Sequence, residues 1–259
     1  MLLRPVFPNA GIEADYRRRI LRLVDEMAAS VTYWLKARYR ANEPKIMAMD
    51  DLPASEMQDA VNEMTRQWRK RFSEGAPELA KYFATAAYRR SDKVLAKILK
   101  DAGFTVDFKL TPAMRDVLRA TIEQNVGLIK SIPEQYLTQV QGAVLRSVTA
   151  GRDLGSLAKE LQEHYGVTRR RAAFISRDQN NKATSAFDRV RQMEAGLKAT
   201  WRHSHAGKEP RPTHVAMDGK EYDPAKGMYD ADPKVRRFIW PGELPRCRCF
   251  SRAVVKGFS

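Results

Sequence analysis

Apolar residues recur at three- and four-residue spacing through most of this chain. Ile12, Tyr16, Ile20, Leu23, Met27, Val31, Trp34 and Leu35 make one stripe, which predicts a long helix from about residue 11 to Tyr39. The stretch from Asn42 to Pro53, with Pro44 and Pro53, reads as a linker. Met57, Val61, Met64, Trp68 and Phe72 make a second stripe that is expected to stop at Gly75. A third is expected to start near Pro77, through Leu79, Phe83, Ala87, Leu95 and Ile98 to Gly103. Phe104 to Phe108 alternates weakly, as a short extended piece would. Thr111-Pro112 is a helix start, a capping hydroxyl followed by proline. Met114, Val117, Ile122, Val126 and Ile129 follow it. Pro133 is expected to open another helix, through Tyr136 and Val140 to Gly151. Asp153 would cap a short helix closed by Gly166, and Thr168 a longer one reaching Gly196.

After Gly196 the pattern breaks down. Lys198 to Arg202 and Cys249 to Val255 read as strands, and the residues between them are rich in proline, glycine and charge. About 60 residues with so little periodicity bury little apolar area unaided, so this region needs a staple or a neighbour. The fold expected is mainly α: long N-terminal helices and a helical middle, followed by a small loop-rich α+β C-terminal module. The divisions fall at 1–106 (a helical N-terminal arm), 107–196 (the helical middle) and 197–259 (the mixed module).

The chain has 259 residues, 46 of them basic and 31 acidic, for a formal charge of +15. The residues from 151 onward carry a net charge of +9 and the first 150 a net charge of +6. A surplus of this size favours a polyanionic neighbour, since positive surface binds phosphate by counterion release without any motif. No apolar run has the roughly 18 residues of a membrane span, and Met1 to Ala10 has no long apolar stretch of the kind a secretory signal carries. With two cysteines in all, a disulfide framework is excluded.

The chemistry-bearing residues concentrate in the module: His203, His205, His214, Cys247 and Cys249. Thiolates and imidazoles are the usual zinc ligands. The spacing is not that of a zinc finger, but a Cys-x-Cys pair can hold one ion. The expected cluster is His214, Cys247 and Cys249, with His205 or His203 as its fourth member and structural zinc as the cofactor. The competing reading makes the cysteines small buried residues on one face of the last strand. A metal-dependent nuclease would draw its general base from Asp218, Glu221 or Asp223, yet HExxH, the nucleophile elbow, the phosphate loop and the dinucleotide fingerprint are all missing. Basic clusters at Arg17 to Arg19, Arg69 to Arg71 and Arg89-Arg90 read as solvated helix faces. Arg169, Arg170 and Arg171 would fall in a first helical turn, where the macrodipole disfavours cations, which points them at an anion or an acidic partner. Ser176 to Lys182 is polar all round for two turns, either exposed or part of a hydrogen-bonded interface.

The runs ISRDQNNKATSAFDRVRQMEAGLKATWRHS, RPTHVAMDGKEYD and WPGELPRCRC resemble the phage Mu F-like head morphogenesis family. The family pattern is a tryptophan-bearing strand, an R-x-x-H-x-x-x-D-G segment and a late P-G with C-R-C. It falls here on Trp201, Arg211, His214, Asp218, Gly219, Pro241, Gly242, Cys247, Arg248 and Cys249. The resemblance covers roughly residues 110 to 256. It implies a non-enzymatic minor head protein of a tailed double-stranded DNA phage or prophage. The implied place is the virion head, assembled in the bacterial host cytoplasm. Its partners would be the portal protein and the major capsid or scaffold protein, with non-specific double-stranded DNA nearby and no membrane. One departure is that many members carry an acidic loop after the tryptophan, where this chain has His203, His205, Lys208 and Glu209. A prophage-associated DNA-binding protein without a virion role is a further alternative.

Overall fold

A computed structural model of the chain describes residues 1–41, 52–149, 154–205 and 209–257. Four long helices come first: α1 (Ala10–Ala41), α2 (Leu52–Asp101), α3 (Pro112–Thr149) and α4 (Leu154–Glu194). Short elements follow: β1 (Lys198–Arg202), α5 (Pro212–Ala216), β2 (Glu221–Tyr222), β3 (Met228–Asp230), β4 (Arg237–Ile239) and β5 (Phe250–Val254). The fold is mainly α with a small α+β module at its C-terminal end, as the periodicity predicts. The linker expected at Asn42 to Pro53 lies mostly, and the cap at Asp153 wholly, outside the described residues.

Three expected breaks are absent. α2 runs through Gly75 and Pro77, α3 through Pro133, and α4 through Gly166 and Thr168. In each case burial on both sides of the breaker outweighs the local penalty. Phe72, Ala76, Leu79, Ala80 and Phe83 form one buried face across Pro77, and Ile129, Ile132, Tyr136, Leu137 and Val140 do the same across Pro133. Instead of capping, Thr168 Oγ1 donates to the carbonyl of His164, 2.8 Å away, one turn back. Other signals hold. The Met114 amide donates to Thr111 Oγ1 at 3.2 Å and caps α3. Gly196, at φ 64°, lets the Leu197 amide turn back to the Gln192 carbonyl at 2.9 Å and closes α4. The weakly alternating Phe104 to Phe108 forms no strand.

By compactness the chain divides into two units, each discontinuous in sequence. One comprises Asp15–Ala80 and Gln124–Ile175. Its core is largely the predicted apolar stripes, with Tyr16, Ile20, Met27, Val31 and Leu35 of α1 and Met57, Val61, Met64, Trp68 and Phe72 of α2 all buried; Val24 is buried where the spacing favours Leu23, which is only partly so. Trp34, which the spacing places on the stripe, is half exposed. Two tyrosines tie polar ends inside this core: Tyr16 Oη donates to Asn125 Oδ1 at 2.8 Å and Tyr39 Oη to Ser147 Oγ at 2.7 Å.

The other unit comprises Met1–Ala14, Lys81–Glu123 and Ser176–Ser259. Its sheet runs β2-β1-β5, all antiparallel, beside a separate β3-β4 pair. The first residues of the chain extend the sheet: Leu2 bridges Val254, and the Leu3 amide donates to the Ala253 carbonyl at 2.9 Å. Leu3 and Val6 then pack with Leu95, Ile98 and Leu99 of α2 and with Ala253 and Val255. The expected divisions at 106/107 and 196/197 fall between α2 and α3 and between α4 and β1, whereas by compactness residues 1–14 and 81–101 share a core with the final strand.

Candidate functional site

α4 enters the second of these units at Ser176, where the seven-residue polar run begins. Ser176, Asp178, Gln179 and Asn180 are buried, as are Thr184, Asp188, Arg191 and Gln192 further along. The run is a hydrogen-bonded interface rather than an exposed face. Asn180 Nδ2 donates to the Asn9 carbonyl at 3.0 Å. Asp178 Oδ1 accepts the Arg246 amide at 2.7 Å, while its Oδ2 meets Lys182 Nζ at 2.8 Å. Tyr222 Oη donates to Ser251 Oγ, which donates on to Gln192 Oε1, both at 2.9 Å. Arg191, 1% exposed, is gripped twice by Asp92 at 2.8 Å and once by Glu194 at 2.7 Å, and lies 4.7 Å from the Phe108 ring centroid. Desolvation pushes the buried Asp188 carboxyl up to about 8.

The Asp178 contact matters because Arg246 precedes Cys247. Arg246 sits at φ 62°, a left-handed conformation uncommon for a residue with a Cβ. The bond to Asp178 and the Cys247 amide's bond to the Leu244 carbonyl at 3.0 Å hold this turn. At Gly242, φ 79°, a Cβ would fall 2.3 Å from Ser185 Oγ of α4, so the loop passes too close for any side chain. The two cysteines lie in the extended segment that leads into β5, not on the strand itself.

The loop brings both thiols to His214, which α5 presents. His214 Nδ1 is 3.4 Å from Cys247 Sγ and 3.6 Å from Cys249 Sγ, and all three residues are buried. Trp201 of β1 packs edge-on against the imidazole at 5.2 Å. On the far side of the ring, His214 Nε2 lies 3.3 Å from Asp230 Oδ2 of β3, a wholly buried carboxylate. Burial alone would raise the Asp230 pKa. The Asp232 amide on its Oδ1, at 3.0 Å, and the neighbouring imidazole outweigh it and hold the group below the usual carboxylate range. Of the two thiols, Cys247 is pulled down to about 4, first by the hydrogen bond from Cys249 and then by His214. Cys249 is pushed up by that same bond and by burial.

Neither candidate fourth member, His205 or His203, joins the three donors. His205 is 69% exposed in its side chain; its Nε2 is 3.4 Å from Asp218 Oδ2 and its Nδ1 3.4 Å from His203 Nδ1. Asp218 also accepts the His203 amide at 3.0 Å, so this carboxylate organises the β1 exit rather than the thiols. A cleft opens over the cluster, lined by His203, Arg211, Arg246 and Arg248 together with His214 and both cysteines. Asp230 escaped the sequence reading because β3 is three residues long and gives no pattern; its only signal was an acidic residue beside a turn.

Arg169, Arg170 and Arg171 lie in the middle of α4, so no helix N-terminus opposes their charge. Arg169 pairs with Asp25 at 2.7 Å and donates to Tyr165 Oη at 2.8 Å, and Arg171 donates to Ser131 Oγ at 2.8 Å. Arg170 is exposed.

A family model described as "Phage Mu protein F like protein" matches residues 138–252. An uncharacterized protein of Haemophilus influenzae is 32% identical over 139 residues, which is 54% of this chain and 30% of that protein. The chain therefore spans less than a third of the curated relative it matches. No solved structure matches it significantly. His214, Asp230, Cys247, Cys249 and the polar run of α4 all fall inside the residues, 138–252, that are similar to the phage Mu F-like family.

Proposed function

We propose that this chain is a minor head protein of a tailed double-stranded DNA phage or prophage, structural rather than catalytic. It is made in the bacterial cytoplasm and carried in the virion near the portal and the packaged DNA. The observation that carries this reading is the similarity of residues 138–252 to the phage Mu F-like family. The +15 charge suits a neighbour of packaged DNA, and among the described residues no helix is long and apolar enough to cross a membrane. The portal protein and the major capsid or scaffold protein are the partners this role requires.

Mass spectrometry of purified particles and procapsids tests it. The chain should be present at low copy number, and absence from both would overturn the assignment. DNA proximity has its own readout in the salt dependence of duplex binding. Because Arg169 and Arg171 are engaged within the fold, Arg170 is the member of its cluster placed to meet phosphate. Arg170→Gln should lower the magnitude of the log K against log salt slope by about 0.9, one phosphate's share, and changing all three to Gln should add little more. An unchanged slope would leave Arg170 without a phosphate contact.

A further inference from the structure

We propose that His214 Nδ1, Cys247 Sγ and Cys249 Sγ bind one zinc ion, with Asp230 behind His214 as the group that orients it and a water completing the coordination from the cleft.

The spacing of the donors carries the argument. Zinc at about 2.3 Å from sulfur and about 2.0–2.1 Å from nitrogen, with tetrahedral angles, requires an N to S separation of about 3.6 Å. The two separations here are 3.4 and 3.6 Å. A neutral imidazole with its proton on Nε2 has a single lone pair at Nδ1, and two sulfurs converge on it. Hydrogen bonding alone satisfies one of them well; an ion between the three atoms satisfies all.

The second observation is Asp230. A wholly buried carboxylate 3.3 Å from Nε2 fixes the proton there and aims Nδ1 at the sulfurs. Both atoms are buried, so the contact between them is shielded from water. Two thiolates neutralise the divalent charge, so burying the loaded centre costs little. The cost of the left-handed turn at Arg246 is explained too, since that turn delivers Cys247 to the site.

The test uses the full chain, purified without a polyhistidine tag. Elemental analysis should find close to one zinc per chain. Cobalt(II) replacing it should show intense thiolate charge-transfer absorption with tetrahedral visible bands. Both should vanish in Cys247→Ser/Cys249→Ser and persist in His205→Ala, whose side chain lies outside the donor set. Asp230→Asn should keep the cobalt spectrum while weakening zinc affinity about 10- to 100-fold. Titrating the wild type with an organomercurial, and reading released zinc with a colorimetric chelator, covers the case in which the double variant does not fold; release should track thiol modification. A folded wild type that takes up neither zinc nor cobalt would overturn the proposal. So would zinc that stays bound after both thiols are blocked, or metal lost equally in His205→Ala.

Discussion

In the unit built from Asp15–Ala80 and Gln124–Ile175, α1 and α2 bury Tyr16, Ile20, Met27, Val31, Trp68 and Phe72 on continuous apolar stripes. In the unit that holds the candidate centre, α4 buries Asp178, Gln179, Asn180, Asp188, Arg191 and Gln192 alongside the apolar Ala183, Phe187 and Val190. Both stretches are regular helix. The difference is in what each must hold. An apolar stripe accepts another stripe and specifies little beyond shape, whereas a polar face can catch backbone groups of an irregular loop one by one. The loop 241–249 buries Leu244, Cys247 and Cys249 in a cluster with Trp201 and Ile239, and it is fastened to α4 by the Asp178 carboxylate and by close passage of Gly242 over Ser185. Directional bonds of this kind fix position where hydrophobic contact alone would not.

The comparison breaks first at Arg191. Arg191→Ala would remove a buried guanidinium that pairs with Asp92 and Glu194 and packs on Phe108, and should cost about 3–5 kcal/mol through the lost ion pairs and lost packing. Phe72→Ala, in the apolar unit, should cost a similar amount through cavity formation. Urea unfolding of both variants checks this. A polar face that is mere decoration would make the Arg191 variant far milder than the Phe72 one.

Next comes Asp178. Asp178→Ala leaves the Arg246 amide and Lys182 without this carboxylate and should cost about 1–3 kcal/mol. It should also raise the alkylation rate of Cys247 and Cys249 several-fold in metal-free protein, without comparable loss of helicity by circular dichroism. Unaltered thiol reactivity would separate the polar run from the cysteine loop.

Asp188 gives a pH signature. Its folded pKa is raised to about 8, so between about pH 4 and pH 8 the folded chain keeps a proton that the unfolded chain has released. The unfolded state binds fewer protons in that window, so this group's contribution to stability falls as pH rises and levels off above about 8. Asp188→Asn should flatten that part of the profile, measured as urea midpoints across the window. The smallest effect is expected from Ser251→Ala, which opens the Tyr222 to Gln192 relay and should cost about 1 kcal/mol.

The same contrast explains what was legible beforehand. The stripe from Tyr16 to Leu35 announces its helix because every third or fourth position is apolar. Thr111-Pro112 announces the start of α3 through local chemistry. Pro77, Pro133 and Thr168 mislead, because their local cost is overridden by burial that sequence spacing does not weigh. His214, Cys247 and Cys249 could be grouped by residue type, and they do meet. His205 was grouped with them by type as well, yet three residues past β1 the chain turns it toward Asp218. Asp230 was invisible because its strand is three residues long, and Asp178, though part of the polar run that stands out in the sequence, has a partner that folds back from 68 residues away. Periodicity reports the partners of a stripe; a buried polar group's partners are individual and carry no period.

Amide hydrogen exchange at Arg246 tests most directly the claim that α4's polar face holds the cysteine loop. That amide donates to Asp178 Oδ1 at 2.7 Å in a region with no secondary structure of its own. It should exchange as slowly as the paired amides of β1 and β5, and Asp178→Ala should restore the rate of an open loop. Fast exchange at Arg246 in the wild type, while β1 and β5 remain protected, would contradict it.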